Sequence, residues 1–468
     1  MKKIAFLAAL MFAASACTGP AADNTPFSLH PDNPRYFMFR GNPAVIVTSG
    51  EHYGVLANRA FDPDKYLETL HGDGLNCTRV FMGAYIEPDG AFNIIGNTLA
   101  PAPEDYVSPW SRSAENAEKF DLTEWNPEYF ARLHRILRKA SELDIILELN
   151  LFCPMYEDMQ WEISPMNARN NINGIGDIER TKVYTLDGDS ALLGVQEALV
   201  RKIVSETNSF DNLYFEICNE PYFGGVTQEW QKHITDVITE TEKNLGRRHL
   251  ISVNVANGSA AVTDPHPDWS IFNFHYCSPP DAVAMNAHLN RPVGMNETGF
   301  NGTEDAYYRR EAWCFMMSGG ALYNNLDYSF TAGKEDGTNV VVSPTPGGGS
   351  PALRKQLGAM RRFIESHDFT GMSPAENPDE IILSDSEKFY ILCESGKQYA
   401  LYSPEVPRQI TMNLPAGKYL ILALDPYSLA EMSVVLTHDG GPVTREVPAG
   451  IGNELAISVT KIIHNTRP

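Results

Sequence analysis

From residue 45 to 367 the chain alternates short apolar runs with longer segments patterned at helical spacing. Runs at 45–48, 77–82, 145–152, 213–219, 249–255, 271–276, 292–297 and 320–328 have the length and content of buried strands. Segments 62–73, 126–144, 190–208, 227–245, 304–319 and 351–367 read as helices, the first two with a proline in the first turn. Strands that alternate with helices form parallel sheets, because each parallel connection needs a crossover. Eight such strands predict an α/β fold, a (β/α)8 TIM barrel, with its functional loops at the C-terminal strand ends.

Past residue 368 the texture changes. "KFYILCESGKQYALYSP" and "LPAGKYLILALDP" are short alternating runs cut by Gly, Pro and Asp turns. They predict an all-β sandwich over 369–468, after a barrel spanning 31–368. The stretch "PTPGGGSP" (344–351) reads as slack between the last strand and the last helix, above the barrel mouth, rather than as a lid.

The N-terminus "MKKIAFLAALMFAASAC" has two lysines, an apolar stretch and small residues ending in Cys17, the pattern of a secretory signal. The tetrad Ala14-Ser15-Ala16-Cys17 resembles a bacterial lipobox. That resemblance implies lipidation of Cys17, a signal over 1–17 and a tether over 18–30; a plain cleaved signal is the alternative. The expected location is exported: outer membrane or cell surface, or else periplasm. Membrane contact would run only through the lipid anchor.

Composition narrows the partners. Lys plus Arg number 37 against 59 Asp plus Glu, a net charge of −22. Such a surface repels phosphate backbones, so no nucleic-acid partner is expected. The six cysteines after Cys17, at 77, 153, 218, 277, 314 and 393, form no CxxC pair and mostly lie in or beside apolar runs. They are expected to be buried, reduced thiols. No His/Cys cluster suggests a metal, and no cofactor is expected.

The chemistry gathers at strand ends. In "YFEICNEPYF" (214–223), Glu216, Cys218 and Glu220 share one face, so an inward Glu220 sits at the mouth with Glu216 below it. Glu297 ends the seventh run, Arg79 lies at or near the end of the second, Asn150 of the third, His275-Tyr276 of the sixth and Asn324-Asn325 of the eighth. At the end of the first run, Glu51, His52 and Tyr53 either bind sugar hydroxyls or hold their loop. Trp161, in the loop after the third strand, either stacks on a sugar or fills that loop. Asp327 either touches substrate or caps the eighth loop. Glu216 is expected to pair with Arg79 rather than act in catalysis, and Glu148 to belong to a structural ion pair. Two facing carboxylates suit glycoside hydrolysis, one as proton donor and one as nucleophile or base. Glu297, beside a tyrosine hydroxyl and Arg79, would stay ionised, and Glu220 would hold the proton.

The set Arg79, Asn219-Glu220-Pro221, His275-Tyr276 and Asn296-Glu297 resembles clan A of the glycoside hydrolases. It is most similar to family 5, the cellulase-like family, and within it to uncharacterised bacterial members. The resemblance covers about residues 36 to 367. It implies Glu220 as acid/base, Glu297 as nucleophile, Asn219 on the sugar 2-hydroxyl, Arg79 orienting the nucleophile and Tyr276 hydrogen-bonded to it. Two departures stand out. The family spaces its strand-six His and Tyr by one residue, and adjacent residues on a regular strand cannot both point inward. The family's tryptophan after strand eight is replaced by "YNNLDYSF". The expectation is a retaining glycosidase acting on an oligo- or polysaccharide. The alternatives are a non-catalytic glycan-binding lipoprotein on a degenerate barrel, and a transglycosylase.

Overall fold

The computed structural model describes residues 25–383 and 388–462. The signal segment, Cys17 included, lies outside the described residues.

Eight parallel strands form one sheet: β1 (Ile46–Gly50), β2 (Cys77–Phe81), β3 (Ile146–Phe152), β4 (Leu213–Cys218), β5 (Ile251–Asn257), β6 (Ile271–His275), β7 (Val293–Glu297) and β8 (Leu322–Leu326). Their order is β1-β8-β7-β6-β5-β4-β3-β2, the cyclic order of a TIM barrel. Between β1 and β2 the closure is made by Asn76. Its backbone N–H donates to Val47 O at 3.3 Å, its Oδ1 accepts from Val47 N at 3.0 Å, and its Nδ2 donates to Val45 O at 2.8 Å.

The principal helices are α1 (Pro63–Gly72), α2 (Pro127–Glu142), α3 (Ser190–Thr207), α4 (Gln228–Glu242), α5 (Asp305–Met317) and α6 (Pro351–Glu365). Three start alike: Asp62, Asn126 or Ser350 caps the first N–H groups and a proline sits in the first turn. On α3, Leu192, Leu199, Val200 and Ile203 bury one helical face. Parallel register sets Arg79 beside Glu148 and Asn150 beside Glu216, so charged and polar side chains share the lumen layers.

Several elements went unread in the sequence. A three-stranded sheet (Ser28–Leu29, Phe37–Phe39, Asn42–Ala44) packs beside the start of β4, with Phe27 N donating to Asp211 O at 2.8 Å. The expected tether over 18–30 is therefore folded where it is described: Phe27 is buried against Phe37 and Tyr214. A hairpin (Trp110–Arg112 with Phe120–Trp125) interrupts the β2–α2 connection. The 344–351 stretch is a second correction. Pro346 O and Gly348 O accept from Gly302 N and Tyr328 N, both at 3.0 Å, and a Cβ on Gly347 would overlap the Gly299 carbonyl. Its glycines permit close packing of backbone against the β7 and β8 ends.

The C-terminal unit is a β-sandwich. One sheet runs in the order Ser373–Pro374, β9 (Tyr390–Glu394), β10 (Gln398–Ser403), β15 (Leu455–Lys461), β12 (Gly417–Leu424), β13 (Glu431–His438). The pair β11 (Gln409–Leu414) and β14 (Gly441–Glu446) faces it. Strand alternation gives the larger sheet two uses. Ile391, Leu401 and Val459 pack in the sandwich core, whereas Leu392, Ala400 and Tyr402 join the barrel core. Tyr402 stacks on Trp313 of α5, and Arg309 pairs with the buried Glu454 at 2.6 Å. Cys77, Cys153, Cys218 and Cys277 are buried, Cys314 and Cys393 half-buried, and none of these six is in a disulfide.

Candidate active site

At the C-terminal strand ends lies a cavity of about 410 Å3 with Glu220 and Glu297 on its wall. Glu297 ends β7. Its Oε2 accepts from Tyr53 Oη at 2.8 Å and Arg79 Nη1 at 3.1 Å, and its Oε1 from Tyr276 Oη at 2.8 Å. Glu220 follows β4, held by Tyr156 Oη at 2.6 Å and Tyr222 Oη at 3.3 Å. One atom joins the two acids: His275 Nδ1 lies 3.1 Å from Glu220 Oε1 and 3.3 Å from Glu297 Oε1. An oxygen from each carboxyl and this nitrogen all fall within 4.8 Å of one another.

Three backbone positions aim these groups. Tyr53, Glu220 and Tyr276 have φ of +63°, +34° and +50°, the left-handed region that costs a non-glycine residue about 1–3 kcal/mol. At Tyr276 the turn resolves the adjacency problem. β6 ends at His275, the register to β7 shifts between Phe274 and His275, and both neighbouring side chains reach the carboxylates. Asn254 Oδ1 accepts from Glu220 N at 3.0 Å, tying the turn after β4 to β5.

Below the cavity Arg79 is spent on its neighbours. It donates to Glu148 Oε1 at 2.7 Å, to Asn219 Oδ1 at 2.8 Å, to Glu297 and to Glu216. Glu216 also accepts from Asn254 at 2.8 Å, Asn273 at 3.1 Å and Asn296 at 2.6 Å. Burial and the neighbouring Glu216 charge push the Glu148 carboxyl well above the usual range, against the pull of Arg79. Burial also acts to raise Glu297, but the facing His275, Arg79 and the Tyr276 hydroxyl outweigh it and hold Glu297 well below the carboxylate range. His275 is the converse. Burial lowers it, and Glu297 and Glu220 override this, moving its ordinary 6.5 to about 9. Tyr53, Tyr156 and Tyr276 are raised well above 10 by burial and by the carboxylates, so they remain phenol donors.

The sequence-chosen residues divide into two groups. His52, Asn219, Glu220, Tyr276 and Glu297 line the cavity, with His275 bridging the acids. Arg79, Asn150 and Asn324 lie beneath it: Asn324 donates to Asn296 O at 2.9 Å, joining β8 to β7, and Asn150 is 1% exposed. Of the two readings of Trp161, filling holds and stacking does not: on a short helix, Asp158–Ile163, it is buried and donates to Ile178 O at 2.9 Å. Asp327 caps its loop, pairing with Arg354 at 2.9 Å. Sequence reading missed Tyr156, Glu87 and the wall residues Phe92, Phe223 and Phe300. Tyr156 and Glu87 stand four and six residues beyond their strands, past the window in which strand ends were searched.

Glu220, His275 and Glu297 would offer a cation one atom each. Arg79 already brings positive charge to Glu297, and tyrosine hydroxyls occupy both carboxylates. The donor set is that of a hydrogen-bond relay.

The family model Cellulase (glycosyl hydrolase family 5) matches residues 48–321, more than half of the chain. The chain belongs to glycoside hydrolase family 5. Solved structures share the fold at low identity. A glycoside hydrolase family 5 protein from Bacteroides vulgatus has a TM-score of 0.63 at 11% identity, covering 94% of each chain. An endo-1,4-beta-mannanase from Rhizomucor miehei has a TM-score of 0.52 at 13% identity, covering 73% of this chain and 100% of its own. No curated protein matches the chain. The family match ends at residue 321, so β8 and the sandwich lie beyond it, whereas the Bacteroides likeness covers almost the full length.

Proposed function

We propose that this family 5 protein hydrolyses an O-glycosidic bond of an oligo- or polysaccharide by double displacement. Glu297 attacks the anomeric carbon while the bond to the leaving oxygen breaks, and Glu220 gives its proton to that oxygen. Water then attacks the same carbon, loses a proton to Glu220, and displaces Glu297. The observation that carries this reading is the spacing of the two acids. One oxygen of each carboxyl lies within 4.8 Å of the other, which favours the close pairing of retaining catalysis, about 5–5.5 Å between carboxyl groups, over the about 6.5–9.5 Å of an inverting site. The depressed Glu297 favours an ionised nucleophile.

The test is a panel of 4-nitrophenyl glycosides and polysaccharides, mannan among them, with wild type and Glu297→Ala. The reading expects turnover by wild type, loss in the variant, and recovery as a glycosyl azide when azide is added. Turnover that survives Glu297→Ala contradicts it. The reading extends to place: a lipoprotein acylated at Cys17, as the lipobox resemblance implies. Metabolic labelling with palmitate should mark wild type and not Cys17→Ser; an unlabelled wild type contradicts the anchor.

A further inference from the structure

The cavity has two sides. Glu220, with Tyr222 and Asn257, marks the side where a leaving group receives its proton: Tyr222 Oη bridges Glu220 Oε1 at 3.3 Å and Asn257 Oδ1 at 2.5 Å. On the other side a continuous set of contacts runs away from Glu297. Tyr53 donates to Glu297 at 2.8 Å, stacks on His52 at 5.4 Å between ring centroids, and His52 Nε2 meets Glu87 Oε2 at 3.2 Å. That wall faces the sugar whose anomeric carbon Glu297 attacks.

Glu87 is only 5% exposed, yet it lines the cavity. Three side chains donate to it: His52 Nε2, shared between Oε1 at 3.4 Å and Oε2 at 3.2 Å, Tyr85 at 3.2 Å and Asn97 at 2.5 Å. A carboxylate accepts about four hydrogen bonds, and three protons reach this one, the His52 proton split between both oxygens, so about one acceptor position is left. His52 Nδ1, the other ring nitrogen of the pair, is buried with no partner among the described residues. The catalytic cycle uses neither group. The cavity wall carries Glu87, Glu220 and Glu297 and no lysine or arginine. An anionic sugar entering it would meet three carboxylates, and His275, the cation beside them, is already shared by two of these.

We propose that Glu87, oriented by His52, selects the glycone: its remaining acceptor position takes a hydroxyl of the reacting sugar, so neutral sugars bearing that hydroxyl are accepted and uronic acids refused. The proposal rests on the glycosidase reading for the orientation of the sugar. Glu87 is a specificity residue, and His52 positions it. A purely structural Glu87, holding the loop whose backbone it joins at Leu99 O, would lower activity by one factor for every substrate.

The experiment compares wild type, Glu87→Gln and His52→Gln on 4-nitrophenyl glycosides of the gluco, manno, galacto and xylo series, their monodeoxy analogues and the matching uronides. Methyl glycosides of the same series are titrated calorimetrically, which needs no turnover. In wild type, removal of one particular hydroxyl should cost about 10–100-fold in kcat/KM, the scale of a hydrogen bond to a charged group. In Glu87→Gln the parent sugar should lose a similar factor, and the penalty for that deoxy position should shrink to within about 3-fold. The uronide ratio should narrow in parallel, and His52→Gln should weaken the same position and no other. An unchanged deoxy profile in Glu87→Gln overturns the proposal while leaving hydrolysis intact. A shifted profile in titration with no turnover by wild type upholds Glu87 and overturns hydrolysis. No binding and no turnover overturns both.

Discussion

Four inward glutamates sit in two layers of one barrel, and their fates differ. Glu148 and Glu216, in the lower layer, are met by Arg79, Tyr214 and a set of asparagines, on regular strand backbone away from the cavity. Glu220 and Glu297, one layer up, border the cavity and share His275. Glu220 also sits on left-handed backbone at φ +34°. Residue type does not separate these pairs. Access to a cavity and a shared titratable partner do, and strain marks the upper layer. The lower layer makes the upper one possible, because Arg79 is rooted in Glu148 and Glu216 and reaches up to Glu297 and Asn219.

The sharpest way to break this comparison is to remove one acid from each layer. Glu297→Ala should lower kcat by about 10^5–10^6-fold, the scale on which losing a nucleophile costs. Its Tm should fall too, because Glu297 is paired with Arg79 and His275, but by less than that of a lower-layer variant, since water reaches the vacated cavity. Glu220→Gln should cost about 10^2–10^4-fold, and less on substrates whose leaving group needs no proton. Glu216→Gln should invert the pattern. Breaking a buried ion pair costs about 3–5 kcal/mol of stability, seen as a lower urea midpoint, and the folded remainder should keep a measurable rate. A Glu216→Gln protein as stable as wild type would erase the distinction between layers.

The smallest effect expected is in pH. Folded His275 holds its proton more tightly than an unfolded imidazole, with about 9 against 6.5. Its stabilising contribution is therefore complete below 6.5 and is lost as pH rises through about 9. Wild type should lose Tm on that rise relative to His275→Gln, and parallel curves would contradict it. Glu297 runs the other way. Its depressed value supplies stability that is complete above the ordinary carboxylate range and is lost progressively as pH falls below that range.

Much of this was legible in the chain because barrel strands are local and periodic. The eight apolar runs fell within a few residues of β1–β8, and the six helical segments matched α1–α6 as closely. Both acids were marked by position alone, as charged ends to apolar strands. What escaped was set by contacts distant in sequence. Phe27 packs on Tyr214, and nothing near residue 27 announces it. Trp161 could stack or fill by sequence, and its N–H bond to the carbonyl of Ile178 decides for filling. The glycines of 344–351 resembled slack because their neighbours, Gly299 and Thr303, come from another loop. His275 and Tyr276 could not be assigned together from strand alternation, because a positive φ at Tyr276 breaks it.

The central claim is that Glu220 and Glu297 serve one glycosidic bond, Glu220 by passing a proton to and from oxygen and Glu297 by bonding to the anomeric carbon in between. Proton NMR of the first sugar released, followed from mixing and before mutarotation, reads this directly. The account predicts a product with the anomeric configuration of its substrate. An inverted product would contradict it.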